Sequence, residues 1–155
     1  MMTGLEFPDI SPIMFSIGPV AVRWYSMAYL FGILAGWYLI NRNVKKYDLG
    51  LSRTNVEDMV FYLTLGIILG GRLGYVLFYG KGYFWENPLR ILEIWQGGMS
   101  FHGGVLGVVA ALWLFVRKIN YGFLRLTDLV VLYAPIGIFC GRLANFVNDE
   151  LWGRI

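Results

Sequence analysis

MVFYLTLGIILGGRLGYVLFY, residues 59–79, is the stretch whose reading decides the fold. It carries a single charged residue, Arg72, in an otherwise apolar run. Wound as a helix at about 1.5 Å per residue, it spans the ~30 Å hydrocarbon core of a bilayer. Gly66, Gly70 and Gly74 recur four apart along one face. In lipid, apolar side chains gain little by leaving hydrocarbon for one another, so helices associate where small residues let their backbones approach. The stretch therefore reads as a spanning helix packed closely against a neighbour.

Three similar runs flank it, at about 20–40, 98–116 and 126–147, and each carries small residues four apart: Gly32 and Gly36, Gly103 and Gly107, Gly137 and Gly141. The chain is 57% hydrophobic and only 15% charged, with a mean hydropathy of +0.58. Soluble domains carry about 25% charged residues, so these polar groups are too few to coat a water-facing surface. The fold expected is all-α: a polytopic transmembrane bundle of about four spanning helices in one membrane-embedded domain, residues 1–155. The mixed aromatic and charged stretch Tyr83–Trp95 reads as an added segment lying in the membrane interface.

Charge follows the same alternation. Only Glu6 and Asp9 precede the first run; Arg42, Lys45, Lys46 and Arg53 lie between the first and second; Lys81 and Arg90, offset by Glu86 and Glu93, between the second and third; Arg117, Lys118 and Arg125 between the third and fourth. Basic loops stay in the cytoplasm, which puts the N-terminus of this multi-pass chain outside. A net charge of +3 distributed in this way argues against nucleic acid as a partner. The first ten residues lack the basic start of a cleaved leader. Cys140, the single cysteine, sits in an apolar run and reads as a small buried side chain.

Ionisable groups inside spans are costly, about 2.5 kcal/mol or more near a helix centre, and call for a partner, a water-filled cavity or a function. Arg23, Arg72, His102 and Arg142 lie there, with Tyr25, Asn145 and Asn148 as uncharged neighbours, and counting along the spans puts all of them in the outer half of the bilayer. Arg23, near a span end, can snorkel to the headgroups. Arg72 and Arg142 are flanked by glycines, which mark a packed interface. The spans offer almost no carboxylate at that depth: Glu57, Asp58 and Asp128 lie at the cytoplasmic ends. The missing anion is then a ligand, and a phosphate at headgroup depth is a phospholipid, which a guanidinium fork matches bidentately. His102 is the only histidine, in Gly97-Gly98-Met99-Ser100-Phe101-His102-Gly103-Gly104, where small residues leave room for a substrate and imidazole supplies a general base. No metal cluster, Ser/His/Asp order, phosphate-binding loop or dinucleotide fingerprint competes with it. These residues by themselves support lipid binding, by an enzyme, a non-enzymatic phospholipid-binding membrane protein or a transporter subunit.

The run Gly141-Arg142-Leu143-Ala144-Asn145-Phe146-Val147-Asn148-Asp149-Glu150-Leu151-Trp152-Gly153-Arg154 resembles the signature of prolipoprotein diacylglyceryl transferases. Phe15-Ser16-Ile17-Gly18-Pro19, Trp24-Tyr25, Gly70-Gly71-Arg72-Leu73-Gly74-Tyr75 and Gly97–Gly104 match the family as well, while Ala144 stands where its pattern usually has glycine. The resemblance covers essentially this whole chain but about the first half of a family member, whose later half contributes further spans and an important arginine. These residues alone are therefore expected to be inactive. The resemblance implies transfer of the diacylglyceryl group of phosphatidylglycerol to the lipobox cysteine of a prolipoprotein, the first step of lipoprotein maturation, forming a thioether and releasing glycerol 1-phosphate. It implies His102 as the base taking the thiol proton and Arg142 on the phosphate, with Tyr25, Asn145 and Arg72 holding the headgroup. Gly98, Glu150 and Gly153 fall in the same matched motifs, and no metal or organic cofactor is implied.

Overall fold

The computed structural model describes residues 10–18, 20–80, 82–94 and 97–150. The chain opens with an antiparallel hairpin, β1 (Ile13–Ile17) and β2 (Val20–Arg23), followed by helices α1 (Trp24–Tyr47) and α2 (Arg53–Tyr79), a single helical turn α3 (Tyr83–Glu86), a 3-10 turn at Pro88–Leu92, and helices α4 (Phe101–Ile119) and α5 (Phe123–Val147). The protein is thus mostly helical, as its apolar runs require. Helices α2, α4 and α5 are each long and apolar enough to cross a membrane. Helix α1, at 24 residues, is also long enough, although Arg42, Lys45 and Lys46 dilute its last turns.

Two differences from the sequence reading have local causes. The first helix starts at Trp24, so Arg23 lies in a strand, opposite Ile13, rather than one turn into a span. At its other end the helix runs on through Arg42, Lys45 and Lys46, all taken above for loop residues, because straight-chain Lys and Arg are good helix formers. It stops at Asp48, whose φ of 45° lets the Leu49 N–H return to the Val44 carbonyl. Asn120 (φ 51°) ends α4 in the same way, with the Tyr121 N–H on the Val116 carbonyl. Both are left-handed caps that satisfy orphan carbonyls of the last turn.

Contacts divide the chain into two compact units, one drawn from Met1–Tyr38 and Tyr133–Ile155, the other Leu39–Leu132. The second is built on α2 against α4. A Cβ placed on Gly66 would come 2.5 Å from the Gly107 carbonyl oxygen, and one on Gly74 would come 2.7 Å from the Gly103 Cα. Backbone meets backbone along the stripe that the sequence marks. Toward the N-terminus of α2 this contact widens into a side-chain core in which Val56, Met59, Phe115 and Leu126 are fully buried and the Tyr62 ring meets Phe115 at 5.5 Å. Ser52 caps α2 by accepting from the Asn55 N–H at 3.0 Å. Lys118 Nζ meets Asp58 Oδ2 at 2.7 Å, an exposed pair that solvent screens.

In the first unit the Gly32 Cβ position falls 2.9 Å from the Gly137 Cα, so α1 and α5 also touch through glycine. Gly36 and Gly141 face open space instead. Four-apart spacing therefore marks contact faces only where a second helix supplies its own small residues.

Candidate functional site

The residues singled out in the sequence fall into two clusters, one in each unit. The first is built on the C-terminal half of α2. Arg72 is 6% exposed, and its guanidinium is held by backbone rather than by an acid. Nε donates to the Ile91 carbonyl at 2.8 Å, Nη1 to those of Gly97 and Gly98 at 2.7 and 3.2 Å, and Nη2 to those of Arg90 and Glu93 at 2.6 and 3.4 Å. A guanidinium has five N–H donors, and here all five are engaged. Rings of Phe84 and Tyr75 lie 5.3 and 5.9 Å from its central carbon. Arg72 was expected to hold the headgroup; its donors here bond backbone carbonyls of 90–93 and 97–98.

That segment ends in Gly97 and Gly98, with φ of 87° and 80°. A Cβ on Gly98 would come 2.5 Å from the Tyr75 ring, so the left-handed backbone and the aromatic face both require glycine there. Ser100 follows, 5% exposed. Its N–H donates to the Gly71 carbonyl at 2.8 Å, and its Oγ caps α4 by accepting from the Gly103 N–H at 3.2 Å. His102, the second residue of α4, is exposed, lies edge-on to Phe101 at 5.8 Å, and lines a cleft of about 350 Å³ with Phe78, Tyr79 and Ser100. An imidazole on the first turn of a capped helix beside an open cleft can exchange protons with a bound molecule. Ser100 and Tyr75 lie in motifs noted above without an assigned role; the signal for Ser100 is a serine just before an apolar periodic run. Ser100→Ala removes a buried cap and is expected to cost about 1 kcal/mol. Denaturant unfolding in detergent micelles checks this, and a variant as stable as the parent would show that the cap carries no weight.

The second cluster gathers at the far end of α5 and the start of α1. Tyr25 is half-buried, its ring 5.1 Å from that of Tyr29, and it lies within electrostatic range of both Arg142 and Glu150. Arg142 is exposed, with no hydrogen bond or ion pair among the described residues. Asn145, 8% exposed, has a buried Oδ1 without a hydrogen-bond partner, and so has Asn148. Buried amide oxygens are normally satisfied, so two together mark a place that receives donors. Helix α5 ends as the signature turns back on itself: with Asp149 at φ 55°, its N–H reaches the Phe146 carbonyl at 3.2 Å and the Glu150 N–H reaches that of Asn145 at 2.9 Å. This paired capping returns Glu150 to the asparagines, where its Oε1 accepts from Asn148 Nδ2 at 3.5 Å. Ala144, at 3% exposure, packs inward beside them. Gly153 lies outside the described residues.

Arg142 and the two asparagines offer a cation and amides to a ligand with anionic and hydroxyl groups; His102 offers a base. No group of three or more His, Cys, Asp or Glu side chains converges among the described residues.

Residues 12–155 match the family model described as prolipoprotein diacylglyceryl transferase. Proteins named phosphatidylglycerol–prolipoprotein diacylglyceryl transferase from Rickettsia canadensis (strain McKiel) and Rickettsia felis are each 52% identical to the chain, over 149 and 151 residues. These matches cover 96% and 97% of the chain and 58% of each relative. A protein of the same name from Rickettsia bellii (strain OSU 85-389) is 47% identical over 151 residues, covering 97% of the chain and 57% of its own length. The chain thus spans under two thirds of the length of these relatives.

Proposed function

The chain belongs to the prolipoprotein diacylglyceryl transferase family, and on that premise we propose that it carries the headgroup site and the base of an enzyme moving diacylglyceryl from phosphatidylglycerol to a prolipoprotein cysteine. The observation that carries this reading is Arg142, a cation without a hydrogen bond or ion pair among the described residues, one turn before Asn145 and its unsatisfied buried amide oxygen.

In this reading His102 takes the thiol proton, since the thiolate is the nucleophile. Sulfur attacks the glycerol carbon that bears the phosphate. The C–S bond forms as the C–O bond breaks, and glycerol 1-phosphate leaves with the bonding pair. Arg142 binds the phosphate and offsets the charge that grows on the departing oxygen. Tyr25 and Asn145 hold the headgroup by hydrogen bonds, and their place on α1 and α5 fixes its orientation. In this multi-pass membrane protein, Lys45 and Lys46 in the last turn of α1 and Arg117 and Lys118 in that of α4 support an orientation with those helix ends in the cytoplasm and the site facing outward. Phosphatidylglycerol and the lipobox cysteine both meet the enzyme on that outer side.

Arg142→Ala tests the assignment. Loss of a charge-stabilising donor is expected to lower transfer by about 10²-fold or more, with weaker binding of phosphatidylglycerol. The readout is thioether formation on a lipobox peptide in nanodiscs, beside lipid-binding titrations. Unchanged transfer removes Arg142 from the site, and lipid binding with no transfer by a chain extended to the full length of its relatives returns a non-enzymatic lipid carrier.

A further inference from the structure

We propose that Arg72 is a positioning residue that sets the place of His102 through the backbone of 90–93 and 97–98, and that it does not contact phosphate; this rests on the transferase reading above. Its cation is buried with no ion pair among the described residues, and five backbone carbonyls supply the negative ends of their dipoles instead. Those carbonyls come from residues 18 to 26 positions further along the chain, so one side chain gathers backbone from the end of the 3-10 turn and from the two glycines ahead of α4. Removing the guanidinium takes from these five carbonyls the one donor group that holds them together, and the backbone that carries them is then freer to move. From the cage the chain takes three residues to Ser100 on the Gly71 carbonyl, and two more to His102. Gly71 and Arg72 are consecutive on α2, so a single helical turn fixes both ends of the connection. The bonds leave no N–H of Arg72 for an anion, whereas the open imidazole of His102 depends on this support for its position.

The test uses the protein in phosphatidylglycerol-containing nanodiscs, comparing the parent with Arg72→Lys, which keeps the charge but not the five-donor fork. Amide exchange across 97–104 is expected to accelerate at least about tenfold while 56–70 is unaffected. In the same variant kcat falls by about 10²-fold with KM for phosphatidylglycerol within about twofold, as a base displaced by an ångström would give. A raised KM with unchanged exchange overturns the proposal and makes Arg72 a headgroup ligand. Gly98→Ala moves the accepting carbonyls while leaving the guanidinium intact. It is expected to show the same kcat loss, and keeps the test decisive where an Arg72 variant does not accumulate. If the parent, extended to the full length of its relatives, shows no transfer, the transferase reading fails on its own, and the exchange measurement still decides whether Arg72 holds these carbonyls.

Discussion

His102→Gln is expected to reduce thioether formation by about 10²- to 10⁴-fold while leaving phosphatidylglycerol binding nearly intact. Glutamine keeps the length and a hydrogen-bonding tip but cannot take up a proton near neutral pH. The acceptor cysteine must then reach the thiolate without help. A free thiol titrates near about 8.5, so the variant's residual rate should climb roughly tenfold per pH unit below that value, and the parent's less steeply. A steep pH–rate profile in the variant alone separates lost proton transfer from lost folding, since a misfolded protein has no rate for pH to restore. Retained transfer at neutral pH would remove the imidazole from the chemistry. The position of His102 makes this effect local: it is exposed at the start of α4, outside the helix contact, and no buried partner loses a hydrogen bond when it changes.

How much of this was legible in the sequence differs from residue to residue. The helices were, because each is an apolar run long enough to cross hydrocarbon, and close packing through glycine was, although all four runs carry glycines four apart and the spacing did not name α4 as the partner of α2. Helix ends were not. Lys45 and Lys46 look like loop residues by charge, yet a helix continues until something stops it, and Asp48 does so by a left-handed backbone that no side-chain pattern announces. The hairpin at Ile13–Arg23 was missed because β1 exposes every one of its side chains and so lacks the alternation of a half-buried strand. Of the candidate site, His102 and Asn145 stand out in the sequence by residue type and place. The task of Arg72 does not, because its partners are backbone carbonyls supplied by shape, and a carbonyl has no letter in the sequence. Counting charges suggested a missing anion; the structure answered part of that demand with peptide dipoles, leaving Arg142 as the arginine whose charge has no hydrogen-bonded partner among the described residues.

Gly107→Ala is expected to destabilise the protein by about 3 kcal/mol, although alanine is the better helix former. The added methyl would fall on the Gly66 carbonyl, with the Gly70 Cα 3.0 Å away. Both obstacles are backbone, so no rotamer change relieves the clash and the two helices must separate. Separation then loses the close contacts along Gly66, Gly70, Gly74 and Gly103 together, and lipid offers no hydrophobic penalty that would drive the pair back. Gly104→Ala on the same helix is the control. Its Cβ would rest 3.9 Å from the Ile67 carbonyl, an ordinary contact, so stability should stay level or rise by up to about 1 kcal/mol from helix propensity. Unfolding of both variants in mixed micelles supplies the comparison, and a Gly107→Ala protein within about 0.5 kcal/mol of the parent would mean that α2 and α4 do not meet backbone to backbone. The same displacement reaches the site, since Ser100 is tied to the Gly71 carbonyl and caps the helix that carries His102. Gly107→Ala should therefore lose transfer as well as stability. Gly104→Ala, next but one to His102 in sequence yet clear of the contact, should leave the fold's support for His102 intact. That contrast assigns the fall in activity to the spacing of the helices rather than to nearness to the base.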